Sequence, residues 1–481
     1  MRLALQKFRP LRLNARANPC CRRRGATAVL AMLYLVLFST LALGFYAATT
    51  TAVQVSHNEE KASRAFLASE SGMDFMRYHL ARVSIPPFAP ATSVTTELAN
   101  DLKERLENTG NMPGLTVAAS GNVINIPAEP NAYIKLDPAG NAGFRATITD
   151  WPDQGKVVMK VTGRYGSTTL TRAIQMDYTR VPKEPTIFDF AVASKGQIVM
   201  KKHEVTSLDP ANALQAKMLS ALNAQPSILV TGGAIGGKLT ILDTASVVVT
   251  GGSVAGETNA AAIVADTTLR AVPADELPAF PTFDTTVYSG FATRTSTGAA
   301  GNTVLKNVRI PAGTNPQFNG DATLQGIMYI ESPNTVTING SMNLQGFIVF
   351  EGEGDTAVNN LVISGNLSTG PLPSSSEFDS MRAATGVSIL APTSTVKVTG
   401  SARGTLRGNV ITGQFATSGT FATLIIDHGT LVTLEETPNS AVFDGKTIKF
   451  NGTGANNLPK LGMGFEAIYH PEPESYQELL P

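Results

Sequence analysis

Leu324-Gln325-Gly326-Ile327-Met328-Tyr329-Ile330 returns twenty residues later as Leu344-Gln345-Gly346-Phe347-Ile348-Val349-Phe350, and a looser copy stands at Leu406-Arg407-Gly408-Asn409-Val410-Ile411. A second motif runs alongside. Val336-Thr337-Ile338-Asn339-Gly340, Leu361-Val362-Ile363-Ser364-Gly365 and Val396-Lys397-Val398-Thr399-Gly400 match one another, and Val247-Val248-Val249-Thr250-Gly251 precedes them. Strand, glycine turn and strand at a fixed period is what a parallel β-solenoid needs, because each coil stacks its inward apolar residues on those of the next. Irregular sandwich connections do not readily give that spacing. A parallel, right-handed β-helix is therefore preferred to a β-sandwich, with a first part over residues 187–270 and the main part over 301–457. Between them, 271–300 carries Pro273, Pro278 and Pro281 and reads as a linker or lateral excursion, as does Thr369 to Ser376 (TGPLPSSS). Such insertions serve either as a contact surface or as a passive cover.

Upstream, no charged residue occurs from Gly25 to Ala52, and Ala26 to Ala48 is long enough as a helix to cross the ~30 Å hydrocarbon core of a bilayer. Residues 1–25 hold eight Arg or Lys and no acid, including Arg22, Arg23 and Arg24 at the junction, whereas Glu59 and Glu60 follow the apolar run. That asymmetry predicts a single-pass inner (cytoplasmic) membrane protein, its basic leader in the cytoplasm and its bulk periplasmic or extracellular. A cleaved secretory signal fits less well, because the apolar run exceeds the usual ~7–15 residue core.

The helical pattern continues beyond the membrane. Ala62, Phe66, Ser69, Met73, Met76, Leu80 and Val83 alternate spacings of four and three and fall on one stripe, so residues 26–84 read as a spanning and projecting helix. Ala65, Ala68, Ser69, Ser71 and Gly72 flank the stripe and allow another backbone to come close. A stalk packing on its own globular part explains the spacing equally well.

The block RRRGATAVLAMLYLVLF, followed by KASRAFLASESGMDFMRYHL, resembles the PilX-type N-terminal domain of minor type IV pilins, and is similar to the large tip pseudopilin of type II secretion systems. The resemblance covers about residues 22–85. Its helix motif is matched by Arg64, Ala65, Phe66, Ala68, Glu70 and Gly72. It implies cleavage by a prepilin peptidase between Gly25 and Ala26 and packing of the apolar helix among other pilin or pseudopilin subunits. Major pilins carry a glutamate at the fifth mature position, where this chain has Leu30. Lacking a carboxylate to pair with a neighbour's terminal amine in an apolar bundle, the chain fits a tip, an initiator or a plain anchored role better than the bulk of a filament.

Residues 85–186 read as a pilin-like α+β region. Leu98, Leu102 and Leu106 predict a short helix over Thr95 to Asn108, and two alternating runs around Gly163 to Ser167 predict a β-hairpin. Trp151, the only tryptophan, reads as a loop anchor for this core. Residues 458–481 read as a floppy acidic, proline-bearing tail. The fold class expected is mainly β: a long N-terminal transmembrane helix, a small α+β layer, then the solenoid.

The formal net charge of zero hides an imbalance: beyond residue 25 there are 30 basic and 38 acidic residues, a net −8, which disfavours nucleic acid as a partner. Cys20 and Cys21 are adjacent and precede the apolar run, so no disulfide framework or thiolate metal site is available to the rest of the chain. Solenoid enzymes acting on polysaccharides need clustered carboxylates. Here Asp243, Asp321, Asp379, Asp427 and Asp444 stand apart, and Glu351, Glu353 and Asp355 (EGEGD) read as a solvated turn. His428 follows Asp427 directly, and adjacent strand residues point to opposite faces. The glycines of Thr231 to Lys238 read as solenoid turns rather than a phosphate loop. No catalytic residue, metal or cofactor is expected. The reading is a structural or assembly component, with membrane, sibling subunits and a surface polysaccharide as partners. The alternative is a membrane-tethered carbohydrate-active enzyme or a surface protein unrelated to pili.

Overall fold

The computed structural model describes residues 24–479 apart from 108, 111, 167–169, 210–215, 265–267, 353, 420–422, 446 and 460. Arg22 and Arg23 lie outside the described residues. The described residues begin with a helix, α1 (Arg24–Leu80), of 57 residues, about 85 Å at 1.5 Å per residue. Residues 26–60 are exposed on every side, which leaves the most apolar stretch of the chain without cover from its own body. From Ala65 onward one face goes under. Ala65, Ala68, Ser69, Gly72, Met73, Met76 and Leu80 are buried, with Ala62 and Phe66 half-buried at the rim. The helix ends at Leu80, short of the expected Val83, which is nevertheless buried in the same core.

The buried face lies on an antiparallel sheet. Its strands are β1 (Ala118–Ser120), β2 (Val123–Ile126), β3 (Ile134–Lys135), β4 (Ala142–Trp151), β5 (Lys156–Tyr165) and β6 (Thr171–Pro182), paired in the order β1-β2-β4-β5-β6 with β3 on β4. The α1 stripe, Ile148, Met159, Ile174 and the leucines of α2 (Ala91–Leu106) form one core. α2 begins one turn earlier than Thr95, directly after Pro90, which stands extended at the N-cap with a ψ of 147°. Gly163 is not in the hairpin turn; it sits within β5, opposite α1. Trp151 is not a core anchor either, ending β4 at 47% exposure.

The tail proves to be a strand. Ala467–Leu479 pairs antiparallel with β6, from Ala467 beside Pro182 to Leu479 beside Ala173. Ala467 and Tyr469 are buried and His470 exposed, so the alternation of a half-buried strand is present at its start. Pro471 and Pro473 are tolerated because the strand lies at the sheet edge, where a missing N–H breaks no ladder. Residues 183–466, the whole solenoid, are therefore inserted between two neighbouring strands of one sheet.

The solenoid is a three-faceted parallel stack whose spatial order is not its chain order. One facet runs from Thr303–Ile310 through Ala322–Ile330, Met342–Phe350, Val387–Val398, Asn409–Thr417 and Leu431–Thr433. It then continues into Val192–Ser194, Met218–Ser220, Leu239–Leu242 and Leu269–Val272. The other two facets make the same join, Ala441 meeting Ile198 and Ile448 meeting Val205. The first-translated coils thus stack beyond the last ones, and the chain must travel the length of the stack to begin again. The proline-rich 271–300 segment makes that journey. It carries buried Tyr288, whose hydroxyl donates to the Leu461 carbonyl at 2.7 Å and whose ring meets Phe347 edge-on at 5.9 Å.

The repeats stack as their spacing requires: Leu324 on Leu344, Gly326 on Gly346 and Met328 on Ile348. Gly326 has a φ of +88°, and a Cβ on Gly346 would lie 1.8 Å from the Gly326 carbonyl oxygen, so coils could not close to strand spacing with any larger residue there. Inward residues such as Leu344, Ile348 and Phe350 fill the lumen. Their outward neighbours Ile327, Tyr329, Phe347 and Val349 are buried as well, under the crossing segment and the 3-10 turn Ser376–Ala384.

Candidate functional surfaces

Three surfaces follow from this geometry: the bare half of α1, the seam between α1 and the sheet, and the outer wall of the solenoid.

On α1, Arg24 and Gly25 open the helix, and Ala26 is its first residue with a described side chain. Leu30 is 53% exposed among other exposed apolar side chains such as Met32, Leu35 and Phe38. Among the described residues, α1 is the one helix long and apolar enough to cross a membrane. Ser39, Thr49, Thr50 and Thr51 donate their hydroxyls back to carbonyls four residues earlier, at 2.6–2.8 Å, so those groups are paired within the helix itself.

At the seam, the helix motif acts through size and through two polar ties. A Cβ on Gly163 would lie 2.2 Å from the Ala65 carbonyl oxygen and 2.3 Å from the Ser69 nitrogen. One on Gly72 would lie 2.4 Å from the Phe144 ring. The small residues Ala65, Ala68, Ser69 and Gly72 therefore let helix and sheet backbones meet. Arg64 pairs with Glu60 at 2.8 Å, stacks over Tyr165 at 4.8 Å and donates to its hydroxyl. Glu70 accepts from the Tyr476 hydroxyl of the C-terminal strand, 406 residues away in sequence. These six positions and Phe66 lie in the contact between α1 and its own sheet, which Met73, Met76 and Leu80 extend. Nearby, buried Asp150 accepts from Thr95 Oγ1 at 2.7 Å, and burial pushes its carboxyl above the ordinary aspartate range, an effect the Thr95 bond and Arg180 partly offset.

On the solenoid, Asp427 and His428 are brought together rather than separated. His428 has left the strand with a φ of +50°, so its ring folds back and its Nδ1 lies 2.9 Å from Asp427 Oδ1. Strand alternation does not apply to a residue in that conformation. Asp427 also accepts from Asn451 at 2.7 Å and faces Arg407 at 3.9 Å. In the acidic turn, Glu351 accepts from the Ser332 N–H at 3.1 Å and Asp355 from the Ala357 N–H at 3.0 Å, while Glu353 lies outside the described residues. Among the described residues no three His, Cys, Asp or Glu side chains form a metal-holding group.

No family model matches the chain, and no curated protein matches it. Among solved structures, the competence-associated pilin ComZ from Thermus thermophilus aligns at 13% identity over 88% of this chain and 98% of that chain, with a TM-score of 0.22. A superposition that loose carries no functional weight, and the reading below rests on this chain's own geometry.

Proposed function

We propose that this chain is a pilin-like structural subunit of the PilX or tip-pseudopilin kind, held in the inner membrane by α1, that carries its solenoid outward as a display, adhesion or spacing body. The observation that carries the reading is the division of α1. Its second half is fixed to an antiparallel sheet by interlocking small residues, whereas its first half is apolar and bare. A helix apolar on all sides calls for lipid or other apolar helices around it, and the uncharged run sits between a basic leader and acidic residues, which favours a cytoplasmic N-terminus. Other pilin or pseudopilin subunits are the partners this bare half suits. Leu30, where a filament-register glutamate would stand, favours a single tip or initiating copy over the bulk of a fibre. The test is intact-mass or N-terminal analysis of protein recovered from membranes. A chain starting at Ala26 is expected; one retaining residues 1–25 contradicts prepilin processing and leaves a permanently anchored solenoid.

The contact of His428 with Asp427 favours one second reading, a membrane-tethered carbohydrate-active enzyme. Glycan cleavage by the purified chain that His428→Ala abolishes would establish it, and no cleavage by the parent chain would set it aside.

A further inference from the structure

We propose that one facet of the solenoid is a binding trough for a linear polysaccharide. This deepens the display reading by naming what the displayed wall holds. In register across successive coils, Val304, Thr323, Asn343, Ser368, Thr405 and Ile425 occupy one outward row. The residues flanking them, among them Leu324, Leu344, Leu367 and Leu406, point into the lumen. At one strand spacing per coil the row is about 24 Å long. Two shallow depressions of about 470 and 450 Å³ lie along it and adjoin at Asn366 and Ser368, which line both.

Other polar ladders on the stack are closed on themselves: Gln325 donates to Gln345 at 3.0 Å, and Asn339 to Asn319 at 2.7 Å. The trough row is not. Among the described residues the side chains of Thr323, Asn343, Ser368 and Thr405 form no hydrogen bond within the protein. Hydroxyl and amide groups both donate and accept, which matches the mixed hydroxyls of a sugar chain. Val304, 60% exposed, and half-buried Ile425 end the row with apolar surface suited to the C–H faces of sugar rings. An extended peptide fits worse. Peptides add to open strand edges, whereas these strands are already hydrogen-bonded to the coils on both sides.

The test uses the full chain in detergent, with affinity gels containing dextran, cellulose, chitin or polygalacturonate as separate probes. Retention by at least one is expected. Ser368→Trp, which fills the trough, and Asn343→Ala with Thr405→Ala, which remove two of its four unpaired polar groups, should each weaken retention about tenfold, the loss of one or two hydrogen bonds. Thermal unfolding of both variants should match the parent because every altered side chain points outward. Retention by none of the four probes, or retention unchanged in both variants, overturns the proposal. Absence of the chain from filaments would strike the display reading alone, since binding is measured on the isolated protein.

Discussion

The solenoid buries a much larger apolar core than the helix-on-sheet layer, and the two do so by opposite means. In the solenoid a residue rests on its equivalent in the next coil, Leu324 on Leu344 and Ile348 on Ile389, and each coil depends on its two neighbours. The layer has no repetition. It is assembled from α1 near the start of the chain and from Ala467–Leu479 at its end, with Glu70 and Tyr476 tied across 406 residues. Damage to the first should therefore stay local, while damage to the second should reach everything that holds the solenoid to the helix.

Tyr469→Ala gives the sharpest form of that contrast. Tyr469 is 2% exposed in the core shared by α1, α2 and the sheet, and truncating a buried aromatic costs about 3–5 kcal/mol. The expected result is protease cleavage at both edges of the insertion, near 183 and 466, with the solenoid surviving as a resistant fragment. Leu344→Ala, also fully buried, should cost about 2–5 kcal/mol yet loosen hydrogen-exchange protection only in the coils it touches. Protection lost evenly over the whole stack would break the nearest-neighbour picture. Gly163→Ala should fall at about 1–3 kcal/mol, since its Cβ must displace helix backbone rather than a side chain. Here the readout is the denaturation midpoint of the layer, with the solenoid transition unmoved.

The smallest effect concerns pH. Asp150 has its folded pKa raised by burial, so its contribution to stability is fully present below the unfolded pKa and is lost as pH rises through the folded value. Asp150→Asn keeps an acceptor for Thr95 while removing the charge. Melting temperature above the folded pKa should rise modestly, and the parent's decline across that window should flatten. A variant that instead melts lower at neutral pH would show that the charge, held by Arg180, is stabilising.

What the chain reveals without coordinates follows from the same contrast. Repeats announce themselves, because Gly326 and Gly346 are each forced by the coil beneath or above. The permuted order of coils is invisible, since Val192 meets Leu431 with no motif in common. One clue was present: GIMYI and GFIVF are apolar without alternation, which in a strand signals burial on both sides, and the crossing segment supplies that second cover. The helix stripe is legible from spacing alone, but the final strand is not. Its glutamates and prolines resemble a solvated tail because edge strands carry such residues to resist further pairing. His428 misleads for a local reason, a left-handed backbone angle at a residue other than glycine.

The central proposal is that α1 anchors the chain while the solenoid lies outside the cytoplasmic membrane. Cys20 and Cys21 are the only cysteines and both precede Ala26, so Ser368→Cys on the exposed trough wall supplies a single outward thiol. Spheroplasts treated with a bulky, membrane-impermeant maleimide should label this variant fully before lysis and leave the parent unlabelled. Labelling of Ser368→Cys only after lysis would place the solenoid in the cytoplasm and contradict the account.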